Sequence, residues 1–138
     1  MIIIIDANII IAALIRDSFT RKLIILSKIQ LYYPEIMLEE LREHKDEIMA
    51  KSGLDENTYD RLLKTILKRV VIIPTEQITD YLSEARKIME SIDIKDTPFI
   101  AAALSYENSI IWSDDKHFKR QKVITVYNTK EIKEILAP

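Results

Sequence analysis

Short apolar runs alternate with helical stretches along this 138-residue chain, and this alternation is the strongest constraint on its fold. The first run, MIIII, is continuously apolar, which is typical of a strand buried on both faces. Strands that alternate with helices favour an α/β fold in which a mainly parallel sheet is covered on both faces. We therefore predict one domain, residues 1–138, with strands at 2–5, 31–33, 70–73, 110–113 and 123–126.

The composition excludes several classes of site. The chain has no cysteine, so disulfides, thiolate zinc sites and cysteine nucleophiles are ruled out. It has one glycine, Gly53, so no glycine-rich phosphate loop can form and no nucleotide cofactor held by such a loop is expected. With only two histidines, a metal site would consist mainly of oxygen ligands, which hard cations prefer.

Neither a membrane segment nor a leader is expected. No stretch reaches the roughly 18 apolar residues that a membrane span needs. The opening apolar run is interrupted at once by Asp6 and Asn8, and no cationic segment precedes it. Together with the absence of cysteine, this pattern favours a cytoplasmic protein without a membrane partner. The net charge of −2 argues only weakly against a nucleic-acid partner, because the distribution of charge matters more than its total.

Four acidic side chains are predicted to meet at one edge of the sheet. Asp6 follows the first strand and Asp115 follows the fourth, and active sites of such sheets lie at the carboxyl ends of the strands. Asp96 precedes a predicted helix, and Glu40 lies on the helix after the second strand. Each acid alone has an ordinary explanation as a helix cap, a turn residue or part of a solvated face. Together, four unpaired carboxylates would repel one another strongly, which indicates that divalent cations bind there.

Polar neighbours of these acids are candidates for supporting roles. Asn8 lies two residues after Asp6 and could orient a carboxylate or a water molecule, and Ser113 could bond to a carboxylate or to water beside the metal. Ordinary turn and strand-end chemistry explains both residues equally well. Glu39 is the alternative to Glu40, since adjacent helical residues point about 100° apart and only one of the two can reach the edge of the core.

Four segments of the sequence, taken together, resemble the motifs of the PIN domain nucleases. The resemblance rests on IIIIDANIIIAAL, PEIMLEEL, DIKDTPFIAAAL and WSDDKHF, at residues 2–14, 34–41, 93–104 and 112–118. Each motif alone is weak, but the ordered set is specific and covers essentially the whole chain. The resemblance implies an α/β/α sandwich, dependence on one or two Mg²⁺ or Mn²⁺ ions, an RNA substrate and a homodimer. Many members are toxins of toxin–antitoxin pairs, which implies a small antitoxin protein as a partner.

The resemblance also implies roles for individual residues. The four acids of the family correspond to Asp6, Glu40, Asp96 and Asp115. Glu39 remains the fallback for the Glu, and Asp93 is a helper of the third acid. Ser113 stands where Thr is more frequent, which is a conservative departure, and Asp114 then fills the variable position beside the site.

The predicted reaction is metal-assisted hydrolysis of RNA, in which an ion lowers the pKa of a bound water and neutralises charge on the leaving oxygen. An acidic site repels RNA unless cations lie nearby, so basic residues close to the acids are candidates for phosphate contacts. A solvated charged face is the alternative interpretation of the same residues. The candidates are Lys116, His117, Lys119, Arg120 and Lys122 after the fourth acid, and Arg16, Arg21 and Lys22 near the first.

Two other functions remain open on the sequence alone. Phosphatases with an Asp nucleophile need a second Asp two residues after the first, where this chain has Asn8. A PIN-like module without catalytic activity could bind RNA or a protein. Loss of an acid would favour that second alternative, but all four acids are present.

Overall fold

A parallel sheet forms the centre of the computed structural model, which describes residues 1–16, 19–26 and 28–136. Within these residues the strands are β1 (Ile2–Ile5), β2 (Leu31–Pro34), β3 (Val70–Ile73), β4 (Ser109–Trp112) and β5 (Val126–Tyr127). They pair in the order β3-β2-β1-β4-β5, and every pairing is parallel. The strand order reverses beside β1, and ligands of open α/β sheets bind at such a reversal.

Nine α-helices cover the sheet within the described residues, as the alternating pattern predicted. They are α1 (Ala7–Ile15), α2 (Phe19–Leu26), α3 (Leu38–Glu43), α4 (Lys45–Ser52), α5 (Glu56–Leu67), α6 (Thr75–Ile78), α7 (Leu82–Met89), α8 (Thr97–Leu104) and α9 (Thr129–Leu136). Helix α1 contacts α2, α4 and α5, whereas α6 and α7 contact α8, which lies on β1, β2 and β4. The fold is the predicted α/β/α sandwich.

The fifth strand lies further along the chain than the sequence predicted. The prediction was 123–126, whereas β5 begins at Val126 and ends at Tyr127. The side chain of Gln121 explains the difference, because its oxygen accepts the backbone N–H groups of Val123 and Ile124 at 3.0 and 2.8 Å. Its amide nitrogen also donates to the carbonyl of Ile124 at 2.7 Å. These bonds hold the segment before β5 in a turn instead of a strand.

Local signals set the ends of several helices. Gly53 has a φ of +73°, the left-handed conformation that favours glycine, and it ends α4. Asp55 accepts the backbone N–H of Thr58 at 2.8 Å and so caps α5. Asn128 and Glu131 form a reciprocal capping box at the start of α9. No helix in the described ranges is long and apolar enough to span a membrane.

Candidate active site

The first acid lies where the strand order reverses. Asp6 follows β1 directly, and its backbone N–H donates to the carbonyl of Trp112 at the end of β4, at 3.0 Å. Its side chain is only 3% exposed. Because β1 is buried on both sides, it carries this carboxylate into the carboxyl edge of the sheet.

A buried hydroxyl connects the first and fourth acids. Ser113 follows β4 and donates a hydrogen bond from Oγ to Asp6 Oδ2 at 2.7 Å. The same Oγ accepts the backbone N–H of Asp115 at 3.0 Å. Ser113 therefore fixes the orientation of Asp6 and the path of the chain toward Asp115.

The third acid sits at the start of α8 without acting as a side-chain cap. Asp96 ends a 3₁₀ turn (Ile94–Asp96), and its carboxylate makes no capping hydrogen bond. Burial, followed by the charges of the other acids, raises the pKa of Asp96 to about 8. The acids that act on it are Asp6, Asp93, Asp115 and Glu40. Its carboxylate thus faces the other acids rather than the helix.

Of the two adjacent Glu residues on α3, Glu40 joins the cluster. Glu39 is exposed and forms an ion pair with Arg42 at 3.1 Å. Glu40 is half-buried, and burial raises its pKa. The charge of Asp93 raises that pKa further, whereas nearby His44 and Lys95 lower it.

The electrostatics of the cluster fit a divalent cation. Burial raises the pKa of Asp6 to about 6, with smaller contributions from the charges of Asp115 and Glu40. Hydrogen bonds from Ser113 and from the backbone of Asn8 act in the opposite direction. Several carboxylates therefore lie close enough in a partly buried region to raise the pKa values of one another. Oxygen donors of this charge and number are what Mg²⁺ and Mn²⁺ require.

The most compact set of ligand atoms includes a histidine. One ligand atom each from Asp93, Asp115 and His117 lies within 4.8 Å of the others, and no other group of three or more meets this spacing in the part of the chain described. From the sequence, Asp93 was predicted as a helper of the third acid and His117 only as an RNA contact. The missed signal is a His two residues after a candidate metal-binding Asp.

Aromatic contacts hold the segments of the site together. Phe99 on α8 packs edge-on against Tyr33 of β2, with ring centroids 5.7 Å apart, and against Phe118 at 6.0 Å. All three rings are fully buried. Tyr33, Phe99 and Phe118 therefore link the strand before Glu40, the helix that follows Asp96 and the turn that follows Asp115.

A family model described as PIN domain matches residues 4–136. The chain belongs to the PIN domain family. The structure is also similar to a chain in the crystal structure of VapBC2 from Rickettsia felis bound to a DNA fragment from their promoter, with a TM-score of 0.70 and 24% identity. That match covers 93% of this chain and 98% of the other, and it shows a shared fold. A search of curated proteins found no match.

Family membership places this PIN domain among the nucleases, as the sequence motifs predicted. Asp6 follows β1 and Asp115 lies shortly after β4, so both acids are at the carboxyl edge of the sheet. The structure brings together Asp6, Glu40, Asp93, Asp96 and Asp115, with Ser113 bonded between two of them.

Among the described residues, the side chains of two other residues proposed for the surroundings of the metal make no hydrogen bond to the acidic cluster. Asp114 accepts the backbone N–H and the hydroxyl of Thr129, both at 2.7 Å, so its two oxygens serve the start of α9. Asn8 is exposed on α1, and the bond it makes to Asp6 comes from its backbone. Neighbouring Asp114 and Asp115 therefore have different partners.

The basic residues after Asp115 also differ from one another. Lys119 forms an ion pair with Glu131 at 2.6 Å, and Lys122 donates to the carbonyl of Lys119 at 3.3 Å. Lys116 and Arg120 are exposed, and neither has an ion pair or side-chain hydrogen bond among the described residues.

The second basic group lies at the far end of α1. Helix α1 starts beside Asp6 and extends over nine residues, which is about 14 Å at 1.5 Å per residue. Arg21 donates to the carbonyl of Ala13 at 2.6 Å near the end of that helix. Arg16 is exposed after the helix, and Lys22 lines an apolar groove between α2 and α9. The structure does not bring these three cations together with the acids.

Proposed function

We propose that this PIN domain is an endoribonuclease that hydrolyses RNA phosphodiester bonds with Mg²⁺ or Mn²⁺. The observation that carries the proposal is the group of four carboxylates near the carboxyl edge of the sheet, where burial, and then the charges of the other acids, raise the pKa values of Asp6 and Asp96. Such an arrangement is unfavourable without cations and suited to binding them.

Asp6, Asp96 and Asp115 would hold one or two ions, with Glu40 as a direct ligand or as the partner of a water molecule. When bound, a divalent ion supplies a water of lowered pKa and neutralises charge that develops on the leaving oxygen. Ser113 positions Asp6, because its hydroxyl donates to that carboxylate. No protein nucleophile is required, which agrees with the absence of cysteine from the chain.

We further propose that the protein is the toxin of a toxin–antitoxin pair in the cytoplasm, that it forms a homodimer and that it binds a small antitoxin. Support comes from membership of the PIN domain family and from the shared fold with a chain of the VapBC2 structure, which is bound to a DNA fragment from their promoter. The proposal concerns the biological setting and is separate from the chemistry of the site.

Cleavage of RNA by the purified protein is expected to depend on a divalent ion. Incubation of a mixed pool of single-stranded RNA with Mn²⁺ should yield internal cuts, EDTA should stop the reaction, and excess Mn²⁺ should restore it. Asp115→Asn should lose the activity, because one of the proposed ligands is replaced by a neutral amide. The products are measured by denaturing electrophoresis.

Asp114→Asn is the matched control for that experiment, because it makes the same change one residue away, where the carboxylate serves Thr129. It should retain cleavage. Activity that persists in Asp115→Asn would indicate a contaminant or a different site. RNA binding without cleavage in the presence of Mg²⁺ or Mn²⁺ would favour a non-catalytic module. A trapped phosphoaspartate at Asp6 would favour a phosphatase.

We propose that the cations after Asp115 guide RNA to the site, with Lys116 and Arg120 as the main contacts. Lys116→Ala combined with Arg120→Ala should weaken RNA binding. The salt slope, which is the slope of the logarithm of the binding constant against the logarithm of the salt concentration, should fall in magnitude by about 0.7 for each lost phosphate contact. Mn²⁺ affinity should stay nearly unchanged. Both effects are measured by fluorescence anisotropy over a series of salt concentrations and by calorimetry.

The matched control changes two exposed cations elsewhere. Lys64 and Lys68 lie near the end of α5, just before β3 begins, which is the opposite edge of the sheet from the acids. Lys64→Ala combined with Lys68→Ala makes the same change in charge and should leave the salt slope as in the wild type. Equal slopes for both double variants would contradict a specific path beside Asp115.

A further inference from the structure

We propose that His117 is a metal ligand and that it makes this site prefer transition-metal ions such as Mn²⁺ over Mg²⁺. The inference rests on the proposed function, because it concerns the same divalent-ion site. It adds a nitrogen donor to a site that the four acids would otherwise build from oxygen alone.

The geometry around Asp115 supports this assignment. The backbone N–H of His117 donates to Asp115 Oδ1 at 2.9 Å, and the imidazole Nδ1 lies 3.2 Å from the same oxygen. Asp93 contributes the third atom of the set within 4.8 Å. Two ligands on one ion with bonds of about 2.1 Å are separated by roughly 3 Å when adjacent and 4.2 Å when opposite. The observed spacing therefore suits one shared ion.

The backbone that carries the imidazole is anchored by the neighbouring residue in the chain. Phe118 is fully buried and packs on Phe99 at 6.0 Å, which anchors the 3₁₀ turn Lys116–Arg120 that carries His117. The ring of His117 is 53% exposed, so an ion and its waters can reach it. A fixed backbone with an accessible ring is the arrangement that a metal ligand needs.

The chemistry of the donor determines the expected selectivity. Mg²⁺ prefers oxygen ligands and keeps most of its waters, so it gains little from an imidazole. Imidazole suits the later first-row metals, and affinity rises from Mn²⁺ through Co²⁺ and Ni²⁺. A pairing of His117 with Asp115 alone, without metal ligation, would affect all divalent ions to a similar degree.

Pulsed electron paramagnetic resonance of the full chain loaded with Mn²⁺ tests the ligation directly. We expect a nitrogen coupling from a bound imidazole in the wild type and its loss in His117→Ala. The chain has two histidines, so His44→Ala is the matched control and should keep the signal. Calorimetry on metal-free protein should show Mn²⁺ affinity reduced about tenfold in His117→Ala, while Mg²⁺ affinity changes less than twofold.

Several results would overturn the proposal. Mn²⁺ that binds and supports cleavage without a nitrogen coupling in the wild type would show that His117 is not a ligand, while the proposed function would stand. Loss of the signal in His44→Ala alone would assign it to the other histidine. Equal losses of Mn²⁺ and Mg²⁺ affinity in His117→Ala would reduce its role to positioning Asp115. Failure of both ions to bind the wild type would reject the metal-dependent function itself.

Discussion

Replacing Asp96 by Asn is expected to abolish Mn²⁺ binding and RNA cleavage while making the metal-free protein more stable at pH 8. Mutation of residues that only hydrogen-bond to metal ligands lowers metal affinity or activity by roughly 10- to 100-fold. Loss of a ligand itself should therefore reduce cleavage by more than about 100-fold. The gain in stability arises because the pKa of Asp96 is raised to about 8, mainly by burial and then by the other acids. Asn removes that charge, and it remains a good residue for the start of α8.

The expected gain is about 1 kcal/mol, because Asp96 is partly exposed and solvent screens its charge. Urea unfolding with EDTA measures it, and calorimetry and gel assays measure binding and cleavage. Asp114→Asn is the control. It alters the carboxylate that holds Thr129 at the start of α9, so it should retain Mn²⁺ binding, which Asp96→Asn should lose. A metal-free Asp96→Asn protein that is less stable than the wild type would contradict the repulsion that we infer.

The metal-free protein should lose stability as the pH rises from about 4 to 8. The pKa of Asp6 is raised to about 6 and that of Asp96 to about 8, both from an ordinary value of 3.8. Between those limits the folded chain holds protons that the unfolded chain has released, so stability falls with pH. For Asp6, which is 3% exposed, the shift corresponds to about 3 kcal/mol across the window.

Mn²⁺ should reverse this trend, because it binds the ionised carboxylates of the folded protein. An ion at about 100 times its Kd adds about 2.7 kcal/mol, so the stabilisation should be largest at pH 8 and small at pH 5. Urea unfolding at both pH values, with EDTA or with Mn²⁺, measures the four states. The double variant Asp6→Asn, Asp96→Asn should respond much less to pH and to Mn²⁺. A metal-free wild type that becomes more stable toward pH 8 would be incompatible with the cluster.

The fold was predictable, and a candidate site could be placed on it, because both inferences use strong, local patterns. The apolar run before Asp6 is long enough to indicate a strand buried on both faces, and a parallel sheet brings the ends of such strands to one edge. The spacing to Asp96 and Asp115 then indicated which acids share that edge. None of these inferences required knowledge of a side-chain conformation.

The details that depend on side-chain partners were not predictable from spacing. Adjacent Asp114 and Asp115 look alike in the sequence, yet one serves Thr129 and the other faces the cluster. Glu39 and Glu40 differ because Glu39 forms an ion pair with Arg42, whereas Glu40 is half-buried. The turn before β5 depends on hydrogen bonds of the Gln121 side-chain amide. The pattern of apolar residues in the sequence carries no information about the conformation of that side chain.

The hydrogen bond between Ser113 and Asp6 joins residues that are 107 positions apart. At a synthesis rate of about 5–20 residues per second, the hydroxyl is made roughly 5–20 seconds after the carboxylate that it orients. A nascent chain whose β4 is still inside the ribosome therefore presents Asp6 without Ser113 or Asp115 beside it. The pairing of β1 with β4 therefore separates the synthesis of Asp6 in time from assembly of the candidate site, and until then the nascent chain carries only an incomplete site.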